Sequence, residues 1–155
     1  RIVEGWRGMS GRLGRWEWRV LWPTPSISVE PGNPSSVVLT VRDVTGALPS
    51  LIDLGDLPAR EQEMMVGLGG IGRTDIVKVS HHGSRDQFPG LYERLRAGIA
   101  MVGVGADNDY GHPTQEALAM LNSAGSTTIR TDTRGAALIA PVGRGGLRVW
   151  TERAG

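Results

Sequence analysis

There is no cysteine among the 155 residues. A disulfide framework and a thiolate zinc site are both excluded, so any metal must be held by His, Asp or Glu. The compartment stays open, because exported and cytosolic proteins can both lack cysteine. No apolar run approaches the roughly twenty residues of a membrane span, and no signal peptide is legible. Charge of one sign is missing too: the formal net charge is +1, which gives little electrostatic pull toward nucleic acid or a membrane. Lysine is nearly absent, with sixteen arginines to one lysine. Guanidinium forks suit phosphate oxygens, but the balanced charge favours the plainer reading of a codon bias toward arginine. What is present is enough apolar residue, 39%, to bury a core in a chain of one-domain length. The first residue is Arg1 rather than Met, and the sequence is read as a piece excised from a larger protein.

Residues 1–15, rich in glycine and arginine, are expected to form a flexible lead-in, and residues 16–155 the domain. Trp16-Glu17-Trp18-Arg19-Val20-Leu21-Trp22 alternates, so Trp16, Trp18, Val20 and Trp22 share one face of a strand. Such a stripe can stack on bases, but packing on a core is the favoured reading. Four prolines in residues 23–34 mark a turn-rich connection. Strands are expected at 36–41 and 51–54, then a helix from Pro58 to about Gly67. Strand 75–80, helix 89–97, strand 99–104, helix 113–124 and strands near 127–132, 136–140 and 147–151 complete the chain. Strands alternating with helices and closing on strands indicate an α/β layered fold.

The stretch Asp75-Ile76-Val77-Lys78-Val79-Ser80-His81-His82-Gly83-Ser84 runs a short apolar strand into two imidazoles, where α/β sheets gather ligands. Adjacent histidines on an extended chain point to opposite sides, so one of them is expected to bind metal while its neighbour faces substrate. Asp56 follows another strand end; before a helix it is either a cap or a ligand. Ser84 offers a hydroxyl or backbone N–H to a phosphate, or caps a turn. His112 closes the polar loop 106–113 at a helix start, where it either meets an anion or caps the helix. A carboxylate and several imidazoles at strand ends suit a zinc-dependent hydrolase.

Leu54-Gly55-Asp56-Leu57-Pro58, the His81-His82-Gly83-Ser84 turn, Asn108-Asp109-Tyr110-Gly111-His112-Pro113 and Arg130-Thr131-Asp132 occur in an order that resembles the metallo-β-lactamase-like domain of ComEC-type DNA-uptake proteins. The resemblance covers about residues 16–142. It implies a metallo-β-lactamase-like αββα sandwich, of which this sequence is the C-terminal half. It further implies two divalent metal ions, zinc or manganese, with Asp56 bridging them and His82 as a ligand. His81 would face the scissile phosphate, and Ser84, Asn108, His112 and Asn33 would line its pocket. Pro31-Gly32-Asn33 resembles a Pro-Gly-His stretch with Asn, a weak neutral ligand, in place of His. The superfamily's His-x-His-x-Asp-His motif has no match in residues 1–15.

By the same resemblance the intact protein would be a nuclease or phosphodiesterase of a bacterial competence channel, degrading the DNA strand that is not imported. A domain that only guides DNA, or a hydrolase of another phosphodiester, are the alternatives. The implied setting is a soluble domain tethered to a membrane channel, on the outer face of the inner membrane. With part of a metal site, the 155-residue chain alone is expected to be inactive and to bind zinc poorly; tight, stoichiometric zinc uptake in a titration would contradict this.

Overall fold

The structure, a computed structural model, describes residues 4–143 and 145–154. Strands β1 (Ser10–Leu13), β2 (Trp16–Trp22), β3 (Val38–Asp43) and β4 (Leu51–Asp53) pair in chain order as an antiparallel meander. The connections then change hand-over. Helix α1 (Ala59–Gly67) leads to β5 (Ile76–Lys78), α2 (Pro89–Leu95) to β6 (Ile99–Val102), and α3 (Gln115–Ser123) to β7 (Thr127–Arg130). Strands β4 to β7 run parallel, which such helical crossovers permit. All seven form one sheet in sequential order. A short turn of helix, α4 (Thr131–Arg134), precedes the hairpin of β8 (Ala137–Val142) and β9 (Gly146–Thr151), a sheet of its own. The chain is a mixed α/β fold.

The parallel strands are apolar on both sides because both sides are covered. Ile52, Val77 and Ala100 lie on the helical side with Leu91, Leu95 and Leu121. Ile76, Ile99 and Ile129 meet Ile139, Leu147 and Val149 of the hairpin on the other. The hairpin alternates accordingly, with Leu138 and Trp150 outward and paired across the strands.

Part of the expected lead-in is a strand, since residues 10–13 pair with β2; residues 1–3 lie outside the described residues. Glycine reads as a breaker in sequence, but Gly11 lies opposite Trp18, and a Cβ there would come within 2.6 Å of the indole. The missing side chain is what lets the ring lie against β1. Of the tryptophan stripe, Trp22 is fully buried and its indole N–H donates to the Pro34 carbonyl at 2.7 Å. That bond anchors the 33–35 turn from below. Trp16 and Trp18 are half-buried, so the stripe packs rather than stands free.

Asp43 closes β3 and is nearly inaccessible. Its carboxylate accepts from Arg15 Nε and Nη2 at 2.9 and 2.6 Å, from the Thr45 hydroxyl, and from the backbone N–H of Ala47 and Leu48. The Arg15 guanidinium, with the Thr45 and Ala47 donors, holds this carboxyl far below the usual carboxylate range despite its desolvation. A depressed folded value means the stabilisation is full above the unfolded value, about pH 3.9, and is lost as pH falls toward the folded one. Asp43→Asn should therefore lower Tm at neutral pH, with the gap to the native protein narrowing as pH is taken from about 4 to 2. Thermal unfolding followed by circular dichroism across that range reads the gap, and a constant gap would contradict the assignment.

Candidate active site

Because β4 to β7 are parallel, the loops leaving their carboxyl ends gather at one edge of the sheet. There they line a cleft of about 930 Å³ with Asn33, Asp56, His81, His82, the 103–110 loop, His112 and Thr131. Asp56 follows β4, the two histidines follow β5, the 103–110 loop follows β6, and Thr131 follows β7.

The His81-His82 turn is not extended. Both residues have positive φ, 44° and 53°, so both imidazoles enter the same cleft with ring centroids 6.4 Å apart. This corrects the expectation of opposite sides, which held only for extended backbone. Left-handed backbone costs about 1–3 kcal/mol at each non-glycine residue, so the turn must be held from outside.

Behind the turn lies a buried polar network. Gln87 Nε2 donates to the carbonyls of Ser80 and Ser84 at 3.0 and 3.1 Å. Its Oε1 accepts from the Tyr92 hydroxyl at 2.5 Å and from Gln62 Nε2 at 3.1 Å. Ser80 Oγ donates to the Leu57 carbonyl at 2.6 Å, and Gln62 binds the same carbonyl. Burial pushes the Tyr92 hydroxyl well above its ordinary value, so it stays a donor. Gly83 completes the turn: a Cβ there would lie 2.7 Å from Pro113 Cβ, so the two histidine-bearing loops touch because this residue is glycine.

His82 Nδ1 lies 2.5 Å from the Gly103 carbonyl. A carbonyl can only accept, so Nδ1 carries a proton, and in the neutral imidazole Nε2 is left with its lone pair. That Nε2 faces Asp56 Oδ1 at 3.8 Å. With Nε2 unprotonated, the two atoms could hold a cation between them. The gap is compatible with an ion at the roughly 2.0–2.2 Å ligand distances of zinc. Carboxylate and imidazole, with no thiolate, are also the right donor types for zinc or manganese. Among the described residues there is no group of three such side chains placed to hold a metal, so Asp56 and His82 could offer a cation two donors.

Asp56 caps nothing. The α1 cap position is Pro58, without a side-chain bond. The Asp56 backbone N–H instead donates to Ser36 Oγ at 3.2 Å, and Lys78 Nζ approaches its carboxylate at 3.5 Å while donating to the Gly55 carbonyl at 2.6 Å. His112 caps nothing either, since Thr114 Oγ1 accepts the Ala117 N–H at the α3 start. Its ring packs 5.5 Å from that of His81. Burial, and then the nearby His81 and His82, lower its proton affinity, which favours the neutral imidazole. Asn33 is exposed on its 3-10 turn at the cleft wall. Asn108 turns inward on its own loop, donating to the His112 carbonyl at 2.6 Å. Ser84 is not brought to the cleft: it is buried behind the turn, and its Oγ has no partner among the described residues.

Sequence reasoning passed over Lys78, Gln62, Gln87, Tyr92 and Thr131. Thr131 Oγ1 donates to the Val104 carbonyl and accepts the Val104 N–H, each at 2.7 Å, pinning the cleft wall. Lys78 had a signal, being the one lysine in an arginine-rich chain. The glutamines had none, because nothing in their type or spacing marks a buried bridge.

Two curated competence proteins match the chain. Competence protein ComA of Neisseria gonorrhoeae is 30% identical over 141 residues, covering 86% of this chain and 20% of the relative. ComE operon protein 3 of Bacillus subtilis (strain 168) is 36% identical over 105 residues, covering 66% of this chain and 13% of the relative. The chain thus spans only a small part of either relative's length. No family model matches it, and neither does any solved structure. Among the described residues no helix is long and apolar enough to cross a membrane.

Replacing Gln87 by Leu should strand the Ser80 and Ser84 carbonyls and the Tyr92 hydroxyl, costing about 1–3 kcal/mol. Urea unfolding of the two proteins measures this. Unchanged stability would mean that the network does not support the turn.

Proposed function

We infer that this segment belongs to a metal-dependent phosphodiesterase domain with a metallo-β-lactamase-like αββα sandwich, serving a bacterial DNA-uptake channel of the ComEC type. In that setting it would act on the DNA strand that is not imported, from the outer face of the inner membrane. The observation that carries the chemistry is the facing pair, Asp56 Oδ1 and His82 Nε2, 3.8 Å apart in a cleft with two further imidazoles. The printed names of the two relatives support the competence setting.

Charge argues for a metal rather than for direct phosphate recognition. Among the described residues the cleft lining carries Asp56, Asp107 and Asp109 but no arginine or lysine, and Lys78 is turned to Gly55 and Asp56, so a bound cation would be what draws in a phosphodiester. Asp56 and His82 would hold it, with further donors from outside these 155 residues. When bound, zinc or manganese would supply a water of lowered pKa and a clamp on phosphate oxygens. The protein's own groups do the rest. Lys78 holds the Gly55-Asp56 backbone and carboxylate in place. The Gly103 carbonyl fixes the His82 tautomer, a role that partners of ligating histidines commonly play. His81 and the neutral His112 line the floor where a phosphate would lie, as hydrogen-bond partners of its oxygens. A domain that guides DNA without cutting it is the second reading, favoured by the lack of a third metal donor among the described residues.

Metal analysis and cleavage of labelled DNA by the full-length protein carrying this segment test the proposal. About two metal ions per chain are expected, with cleavage abolished by chelation. Asp56→Ala should lose more than the roughly 10–100-fold that an outer-sphere partner costs. Cleavage retained in Asp56→Ala would remove Asp56 from the chemistry. A well-folded protein with neither metal nor cleavage would leave the guiding role.

A further inference from the structure

Tyr110 stands on the cleft rim with 83% of its surface exposed, although it belongs to neither apolar cluster. A lone surface aromatic is ordinary; the placement of this one is not. Its ring lies 6.5 Å from that of His112 at a tilt of only 31°, and His112 in turn lies 5.5 Å from His81. Tyr110 is thus linked ring to ring through His112 to His81, whose ring lies 6.4 Å from that of His82. The segment is held rather than trailing, because the Tyr110 N–H donates to Asn108 Oδ1 at 3.1 Å and Asn108 Nδ2 donates to the His112 carbonyl. The chain's other tyrosine, Tyr92, is buried and hydrogen-bonded.

We propose that Tyr110 is a specificity-determining residue that stacks on an unpaired nucleobase next to the scissile phosphate. The proposal rests on the phosphodiesterase reading and narrows its substrate to a base-bearing single strand. Charge leaves stacking as the available source of affinity at this rim. Asp107 and Asp109 share the cleft lining with the ring and repel phosphates, and among the described residues no arginine or lysine lines it. A π-face grips any base without needing a positive groove. A duplex offers no free base face to the ring, and a phosphodiester without a base offers none at all.

The test is equilibrium binding, read by fluorescence anisotropy in manganese buffer with the full-length protein. The probes are a labelled oligothymidylate and an oligonucleotide of equal length built from abasic sites. The base-bearing probe should bind roughly five- to a hundredfold more tightly. Tyr110→Ala should remove that advantage while leaving abasic binding unchanged, and Tyr110→Phe, which keeps the ring, should retain it. Equal binding of the two probes by the native protein, or an advantage that survives Tyr110→Ala, overturns the stacking role and leaves the phosphodiesterase reading standing. If neither probe binds, the stacking role falls and so does the reading beneath it.

Discussion

The site depends on holding two consecutive histidines in left-handed backbone. An extended chain would send their rings to opposite faces of the sheet, and the cleft would lose one of them. The strain of about 1–3 kcal/mol at each residue is opposed by bonds that converge on the five-residue stretch 80–84. Gln87 grips its carbonyls from behind, the His81 N–H donates to the Gly55 carbonyl at 3.1 Å, and the Thr114 N–H donates to the Gly83 carbonyl at 2.9 Å. The last two bonds reach into two other loops of the site, those that carry Asp56 and His112. Asp56, the histidine pair and His112 are therefore placed relative to one another by shared backbone, not by contacts between their side chains. Gln87 and Tyr92 flank the start of α2, and Gln62 comes from α1, so the helical core and the site are built from the same packing.

Charge is distributed with equal consequence. The chain is close to neutral overall, yet the carboxylates Asp56, Asp107 and Asp109 line the cleft and no described arginine does. Arg15 and Arg130 are engaged with Asp43 and Asp132, and Arg7 binds the carbonyls of Leu21, Leu68 and Gly69. These three arginines are structural cations. Among the described residues no arginine lines the cleft where, on the proposed reading, a phosphate would sit.

The alternation of strands and helices was legible because each parallel strand is a short apolar run bounded by turn residues. The motif residues were legible because His, Asp and Gly before loops are chemically conspicuous. Strand β1 was not, since its glycine serves the Trp18 ring across the ladder, a long-range reason that local propensity cannot express. The ring directions of His81 and His82 were misread because the period-two rule applies only to extended backbone. Ser84 was given a substrate role from its place in a motif, whereas its side chain is folded behind the turn. The Gln62–Gln87–Tyr92 bridge joins residues 25 and 5 positions apart, and neutral amides leave no trace in composition or periodicity.

The central claim is that Asp56 and His82 share a cation. Anomalous diffraction from crystals of the full-length protein grown with manganese would locate it directly. The account predicts a peak in contact with Asp56 Oδ1 and His82 Nε2, with His82 Nδ1 still on the Gly103 carbonyl. Manganese bound elsewhere, or no peak while Lys78 remains against Asp56, would contradict it.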